Sequence, residues 1–163
     1  MITLIIIALT CLVSISAFSN HSLFSKFLFN AHTIHSNREW YRFISHAFIH
    51  ADWIHLAMNM YVLYMFGNMV ETIFQSAFGT VRGETYFALL YSIGIIASSL
   101  PSYNKNKDNY HYNAVGASGA VSAVVFSSIS FLMSIPIPMK NPKELPVEMA
   151  ISGITYSALV LIA

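Results

Sequence analysis

The sequence predicts an all-α membrane protein, a polytopic bundle of transmembrane helices. Hydrophobic residues make up 56% of the 163 residues and charged residues 9%. A soluble domain carries about 25% charged residues, so this chain cannot clothe a water-facing surface. Its apolar residues fall into five runs separated by polar stretches, each near the length of a membrane-crossing helix. The few polar residues inside those runs are patterned: His55 and Asn59 stand four apart, and Ser118 sits in Gly116-Ala117-Ser118-Gly119. The net charge of +1 argues against a nucleic-acid partner, which requires a basic patch. Cys11 is the only cysteine; it makes no internal disulfide and reads as a small buried or lipid-facing hydrophobe.

The chain reads as one domain, residues 1–163. Residues 2–18 form the first span. They carry no charge and approach the lower limit of about 17–25 residues for a spanning helix. No Lys or Arg precedes them, so the basic start of a secretory signal is missing and the helix is read as retained. Residues 20–54 hold Lys26, Arg38, Glu39, Arg42 and Asp52 together with many aromatics. This stretch is too polar to span and is read as a structured interfacial loop with short helices. Trp40, Tyr41, Phe43, Phe48 and Trp53 suit the membrane–water boundary, where amphipathic rings settle. Phe43, Ala47 and His50, with His46 beside them, fall at helical spacing.

Residues 55–71 form the second span and end at Glu71. Residues 79–85, with Arg82 and Glu84, read as a short polar connection. Residues 86–100 form the third span, stopped by Pro101, and 102–112 a polar loop. Residues 115–133 form the fourth span, with Ser118 at its start. Pro136 and Pro138 break the helix, residues 140–144 form a loop, and residues 147–163 begin a fifth span with no polar flank, so the domain is expected to be incomplete at its C-terminus. Lys26, Arg38, Arg42, Lys105 and Lys107 lie on one side of this topology, and Arg82, Lys140 and Lys143 on the other. Taken literally, the positive-inside rule puts the first loop in the cytoplasm.

Two readings attach to each polar group. A serine in a membrane helix commonly bonds a carbonyl one turn back or lets helices pack closely. In the first turn of a helix, however, unpaired N–H groups and the positive end of the dipole face its hydroxyl, a setting that favours developing negative charge on an acyl intermediate. His55 and Asn59 share a helix face. They serve either as an interhelical hydrogen-bond pair or as two donors aimed at one oxygen. His46 and His50 are four apart, as in a helical metal pair, but a zinc-protease helix needs Glu after the first His and Ala47 stands there. No metal or other cofactor is expected. Glu39 reads as a solvated charge, while Arg42 is placed to pin loops near the membrane surface.

Tyr41-Arg42 followed by His46 and His50, the HLAMN stretch from His55 to Asn59, Glu71, and GASG at 116–119 together resemble the rhomboid intramembrane serine proteases. The resemblance implies a rhomboid-like helical bundle, with about five of six core helices present, and a Ser–His dyad. Ser118 would be the nucleophile. His55 and Asn59 would donate to the oxyanion with the backbone N–H groups of Ser118 and Ala117. Arg42 would brace the first loop, and His46, His50, Glu71, Gly116 and Gly119 would support the site. The resemblance places the first loop and the Ser118 end outside a bacterial inner membrane, against the charge count. It implies single-pass transmembrane protein substrates delivered through the lipid bilayer.

One element of that pattern is missing. The general-base histidine of such proteases lies on a sixth helix, and no histidine follows His111 in this sequence. A serine hydroxyl without a base is a weak nucleophile. The expectation is therefore a serine endopeptidase whose base His is not in this sequence. The rival reading is a catalytically inactive rhomboid-like protein that binds transmembrane clients.

Overall fold

The computed structural model describes residues 1–134, and these are organised as α-helices. Helix α1 spans Ile2–Ser19, α2 His21–Phe27, α3 Ala31–Asn37 and α4 Arg42–Ser45, which runs into a 3₁₀ turn at His46–Phe48. Three further helices follow: α5 Trp53–Phe78, α6 Thr80–Asn106 and α7 Ser118–Ser134. The proline break, the 140–144 loop and the fifth span lie outside the described residues.

Local chemistry sets most of the boundaries. Asn20, Asn30 and Asp52 are N-caps whose side chains accept from the N–H groups of Leu23, Thr33 and His55, at 3.0, 2.7 and 2.7 Å. Each satisfies a donor that a helix start leaves unpaired. Gly79 joins α5 to α6 with φ of +82°, a backbone state costly for other residues.

The structure departs from the sequence reading at α6. The polar connection expected over 79–85 shrinks to Gly79, because Thr80–Thr85 are helical. Pro101 does not stop the helix, which continues to Asn106. Proline's φ is itself helical and it removes one backbone bond, a loss that bundle neighbours offset in membrane helices. The polar loop thus begins after Asn106. At the other end, Phe43, Ala47 and His50 do not share one helix: the 3₁₀ turn intervenes and Ile49 is extended.

α5, α6 and α7 enclose the main core, built from Leu56, Leu63, Val70, Phe74, Phe87, Leu90, Ile95, Val121, Val124 and Phe131. Small residues allow the helices to approach. A Cβ on Gly94 would lie 2.9 Å from the Ala123 Cβ, and one on Gly67 of α5 would lie 2.7 Å from Thr3 of α1. Glu71, buried in α5, caps α1 from outside: it accepts from the N–H groups of Ile2 and Thr3 at 2.8 and 3.0 Å, from the Thr3 hydroxyl at 2.7 Å, and from the Met1 amino group. A carboxylate at a helix N-terminus satisfies unpaired donors and complements the dipole.

The outward face of α1 is aliphatic, with Leu4, Ile5, Leu9, Leu12 and Ile15 exposed, the arrangement a lipid solvent demands. Among the described helices, α1 (mean hydropathy 2.4) and α6 (1.3) are long and apolar enough to cross a membrane. α5 has the length, but His55, Asn59, Asn68 and Glu71 dilute its hydropathy. α7 is apolar but shorter.

A second, smaller core ties the first loop together. Phe29, Ala31, Ile34 and Phe43 pack with Tyr103 and Tyr112. Phe43 therefore turns inward, whereas Trp40, Tyr41 and Trp53 stay exposed.

Candidate active site

Ser118 is the first residue of α7, and the bond from Val121 N to Ala117 O, 2.9 Å, is the helix's opening turn. The N–H groups of the first turn precede the intrahelical ladder, so Ser118 stands where the dipole is positive. Ser118 is exposed to a cavity of about 180 Å³ that it lines with Gly116, Gly119, His46, Ser98, Ser99, Ser102 and Phe29. The sequence reading missed the three serines of α6. Their spacing over 98, 99 and 102 marks one helix face, but nothing in the sequence aims that face at Ser118.

The segment entering α7 is fastened to the first loop residue by residue. Phe29 and Ala114 exchange two backbone bonds, each 3.0 Å. Gly116 N donates to the His46 carbonyl at 2.9 Å. Ala117 N donates to His50 Nε2 at 3.4 Å. Gly116 has φ of +109°, and a Cβ there would lie 2.7 Å from His55 Cε1, so this glycine provides both the turn and the space for the imidazole. Gly119 acts on the other side: a Cβ would lie 2.0 Å from Ser98 Oγ, so α6 and α7 meet at the Ser118 end of α7.

His55 thus lies against the segment two residues before Ser118. Asn59 is buried on the same helix, and its Nδ2 donates to the His55 carbonyl at 2.9 Å. Neither lines the Ser118 cavity. The Ala117 N–H, expected as an oxyanion donor, instead faces His50. The loop fixes this because His50 is fully buried and needs a donor for its free nitrogen lone pair.

Arg42 is the brace of the loop. Its Nη1 donates to the carbonyls of Ser25 and Leu28 at 2.9 and 2.7 Å, and its Nε to Glu39 Oε2 at 2.7 Å. Glu39 is therefore an ion-pair partner, not a solvated charge. Hydrogen bonds from Tyr41 and Arg42 hold its carboxyl below the usual range. The planar fork spreads its donors over a fixed geometry and meets three acceptors at once, where a lysine offers a compact point charge. His46 bonds the Arg42 carbonyl through Nδ1 at 2.9 Å and Ser99 Oγ through Nε2 at 3.3 Å. Burial pushes its pKa down. His50 is pushed down to about 4 by burial and by His55, against the opposing charge of Asp52. Both rings are neutral at physiological pH. Among the described residues, no group of three or more His, Cys, Asp or Glu side chains is placed to hold a metal ion.

Comparison with known proteins agrees with this architecture. The rhomboid domain family matches residues 37–163. Rhomboid-like protein 11, chloroplastic, of Arabidopsis thaliana is 33% identical over 100 residues, which are 61% of this chain and 32% of that relative. The chain thus spans about a third of the relative's length. With an all-helical bundle, a match over most of the chain and HLAMN and GASG brought to one end of it, this chain belongs to the rhomboid family of integral membrane proteins.

Proposed function

We propose that the chain forms the nucleophile and oxyanion side of an intramembrane serine endopeptidase, one that hydrolyses peptide bonds in or next to transmembrane segments of single-pass proteins. The observation that carries this reading is Ser118 itself. It is the first residue of α7, exposed to a polar cavity and preceded by a left-handed glycine against which His55 packs. Attack by the Ser118 Oγ on a scissile carbonyl would place negative charge on its oxygen, beside first-turn N–H groups, and His55, packed against Gly116, would reach it from outside the cavity. A removed oxyanion donor typically costs about 10²–10³ in rate. An unwound substrate segment exposes the carbonyl that an intact helix hides, and the cavity supplies room for water.

The proton of the serine hydroxyl must go to a base. His46 shares the cavity, but both its nitrogens are engaged. His55 is kept for the oxyanion. The base of the dyad would come from outside these 163 residues. The membrane would be a bacterial inner membrane or an organellar equivalent, the plant relative being chloroplastic.

A second reading rests on the same gap. Among the described residues His46 is the imidazole lining the Ser118 cavity, and both its nitrogens are engaged; a rhomboid-like protein that binds transmembrane clients without cutting them uses the same bundle. The test is fluorophosphonate labelling and cleavage of a single-pass reporter in membranes, using the full-length protein. Ser118-dependent labelling and cleavage, abolished in Ser118→Ala, is expected. Equal cleavage by both proteins would refute the nucleophile assignment, and client retention without cleavage would favour the second reading.

A further inference from the structure

A buried serine on α1 is wired to the peptide that precedes the nucleophile. Ser14 is fully buried, as is His50. Ser14 Oγ lies 2.9 Å from His50 Nδ1 and 2.9 Å from the carbonyl oxygen of Phe48. On the far side of the ring, Nε2 lies 3.4 Å from Ala117 N. The hydrogens on this path can be placed from both ends. The Phe48 carbonyl only accepts, so the single Ser14 hydroxyl proton goes to it, and Ser14 must then accept from Nδ1–H. Independently, the Ala117 N–H only donates, so Nε2 must be the ring's lone-pair nitrogen. Both ends require the same tautomer, with the proton on Nδ1.

We infer that Ser14 is a positioning residue for the nucleophile: by fixing the His50 tautomer it holds the Gly116–Ala117 peptide, and hence the start of α7, in place. This rests on the proposed protease function, since it is Ser118 whose approach the peptide sets.

The geometry explains why a hydroxyl stands at this point of an otherwise apolar helix. Without Ser14, Nδ1–H would be a buried donor with no acceptor. Two imperfect tautomers would then compete: one leaves Nδ1–H unpaired, and the other puts a proton on Nε2, where it faces the Ala117 N–H donor to donor. The Gly116–Ala117 peptide would have to turn, and Gly116, with φ of +109°, is the residue able to let it. The neighbouring peptides would not follow, because Ala114 and Gly116 are held by backbone carbonyls of Phe29 and His46. The groups that face His50 with a titratable charge are His55 from α5, at a ring-centroid distance of 5.0 Å, and Asp52 at the α5 cap. α1 offers no charged side chain, and Gly116 and Ala117 none.

The relay is tested on the 163-residue chain in lipid nanodiscs, comparing wild type, Ser14→Ala and Ser14→Thr. Two readouts are needed: the nitrogen chemical shifts of labelled His50, and hydrogen exchange at the Ala114, Gly116 and Ala117 amides. In wild type, His50 should show a protonated Nδ1 and a bare Nε2. In Ser14→Ala the tautomer signature should shift, and Ala117 exchange should rise roughly three- to tenfold, the worth of one hydrogen bond. Ala114 and Gly116 should keep their protection, and Ser14→Thr should restore the wild-type pattern. An unchanged His50 tautomer with unchanged Ala117 exchange in Ser14→Ala would overturn the inference, as would an equal rise at all three amides. Fluorophosphonate labelling of Ser118 in the full-length protein separates the two proposals. If the relay signatures hold and Ser118 does not label, the protease reading fails and the relay stands.

Discussion

Gly116 carries more of the site than its size suggests. Its φ of +109° is one that L side chains rarely adopt, and the volume a Cβ would fill is held by His55 Cε1 at 2.7 Å. Gly116→Ala therefore meets two penalties at once, backbone strain of about 1–3 kcal/mol and displacement of the His55 ring. We expect loss of Ser118 labelling with a smaller loss of thermal stability. Wild-type labelling in a Gly116→Ala protein would show that neither the turn nor the His55 position matters. The motif is visible in the sequence as a glycine two before a serine, but its reason is not. The positive φ and the His55 contact arise only because α5 and the segment entering α7 meet. The same holds for Glu39, which reads as a surface charge until the fold brings the Arg42 fork and the Tyr41 hydroxyl to it.

Helix pairing decides where the serine stands. α6 and α7 cross with Ser98 against Gly119 and Gly94 against Ala120 and Ala123. This is the close approach that small residues permit when lipid provides no hydrophobic drive between helices. A methyl group at position 119 would lie 2.0 Å from Ser98 Oγ and 2.4 Å from its Cβ, so rotating the hydroxyl away cannot relieve it. Gly119→Ala should push the helices apart, costing about 1–3 kcal/mol of stability. Adding Ser98→Gly should recover most of that loss in a double-mutant cycle on thermal unfolding in detergent. Additive losses would mean that the two positions do not meet. The small-residue run from Gly116 to Ala123 announced a tight helix face; which helix it receives was not written in it. From sequence α6 reads shorter at both ends than the Thr80–Asn106 helix, because charged residues near Arg82 and a proline at 101 resemble boundaries. Inside a bundle both are accommodated, the first by the start of a long helix and the second by a kink-tolerant one.

For the whole molecule, the buried neutral histidines tie stability to pH. His50 titrates near 4 in the folded protein against about 6.5 when unfolded. Above 6.5 both states are neutral there and the group has no effect. Between 6.5 and about 4 the unfolded chain binds a proton that the folded chain refuses, so stability falls as pH falls, by at most about 1.4 kcal/mol per pH unit for one proton. Below about 4 this contribution levels off. His46 shifts in the same direction through burial. Thermal unfolding in detergent from pH 7.5 down to 4.5 should show a declining midpoint, and His50→Gln should flatten the slope. A midpoint independent of pH over that window would contradict the burial of both rings.

By itself the sequence determined the class of solvent and the chemical vocabulary. With 9% charged residues the chain must be a helical membrane protein, and the motifs around His55, Asn59 and Ser118 place it in its family, because residue type and local spacing are properties of short segments. Only the tertiary structure decided which groups meet. It set the serine-lined cavity around Ser118 and the His50 ring on the Ala117 N–H. It also set the Arg42 fork across three segments and the Glu71 cap on α1. The Glu71 cap and the His50–Ala117 contact join residues 70 and 67 positions apart, and such pairings follow from how helices pack, which no local pattern encodes.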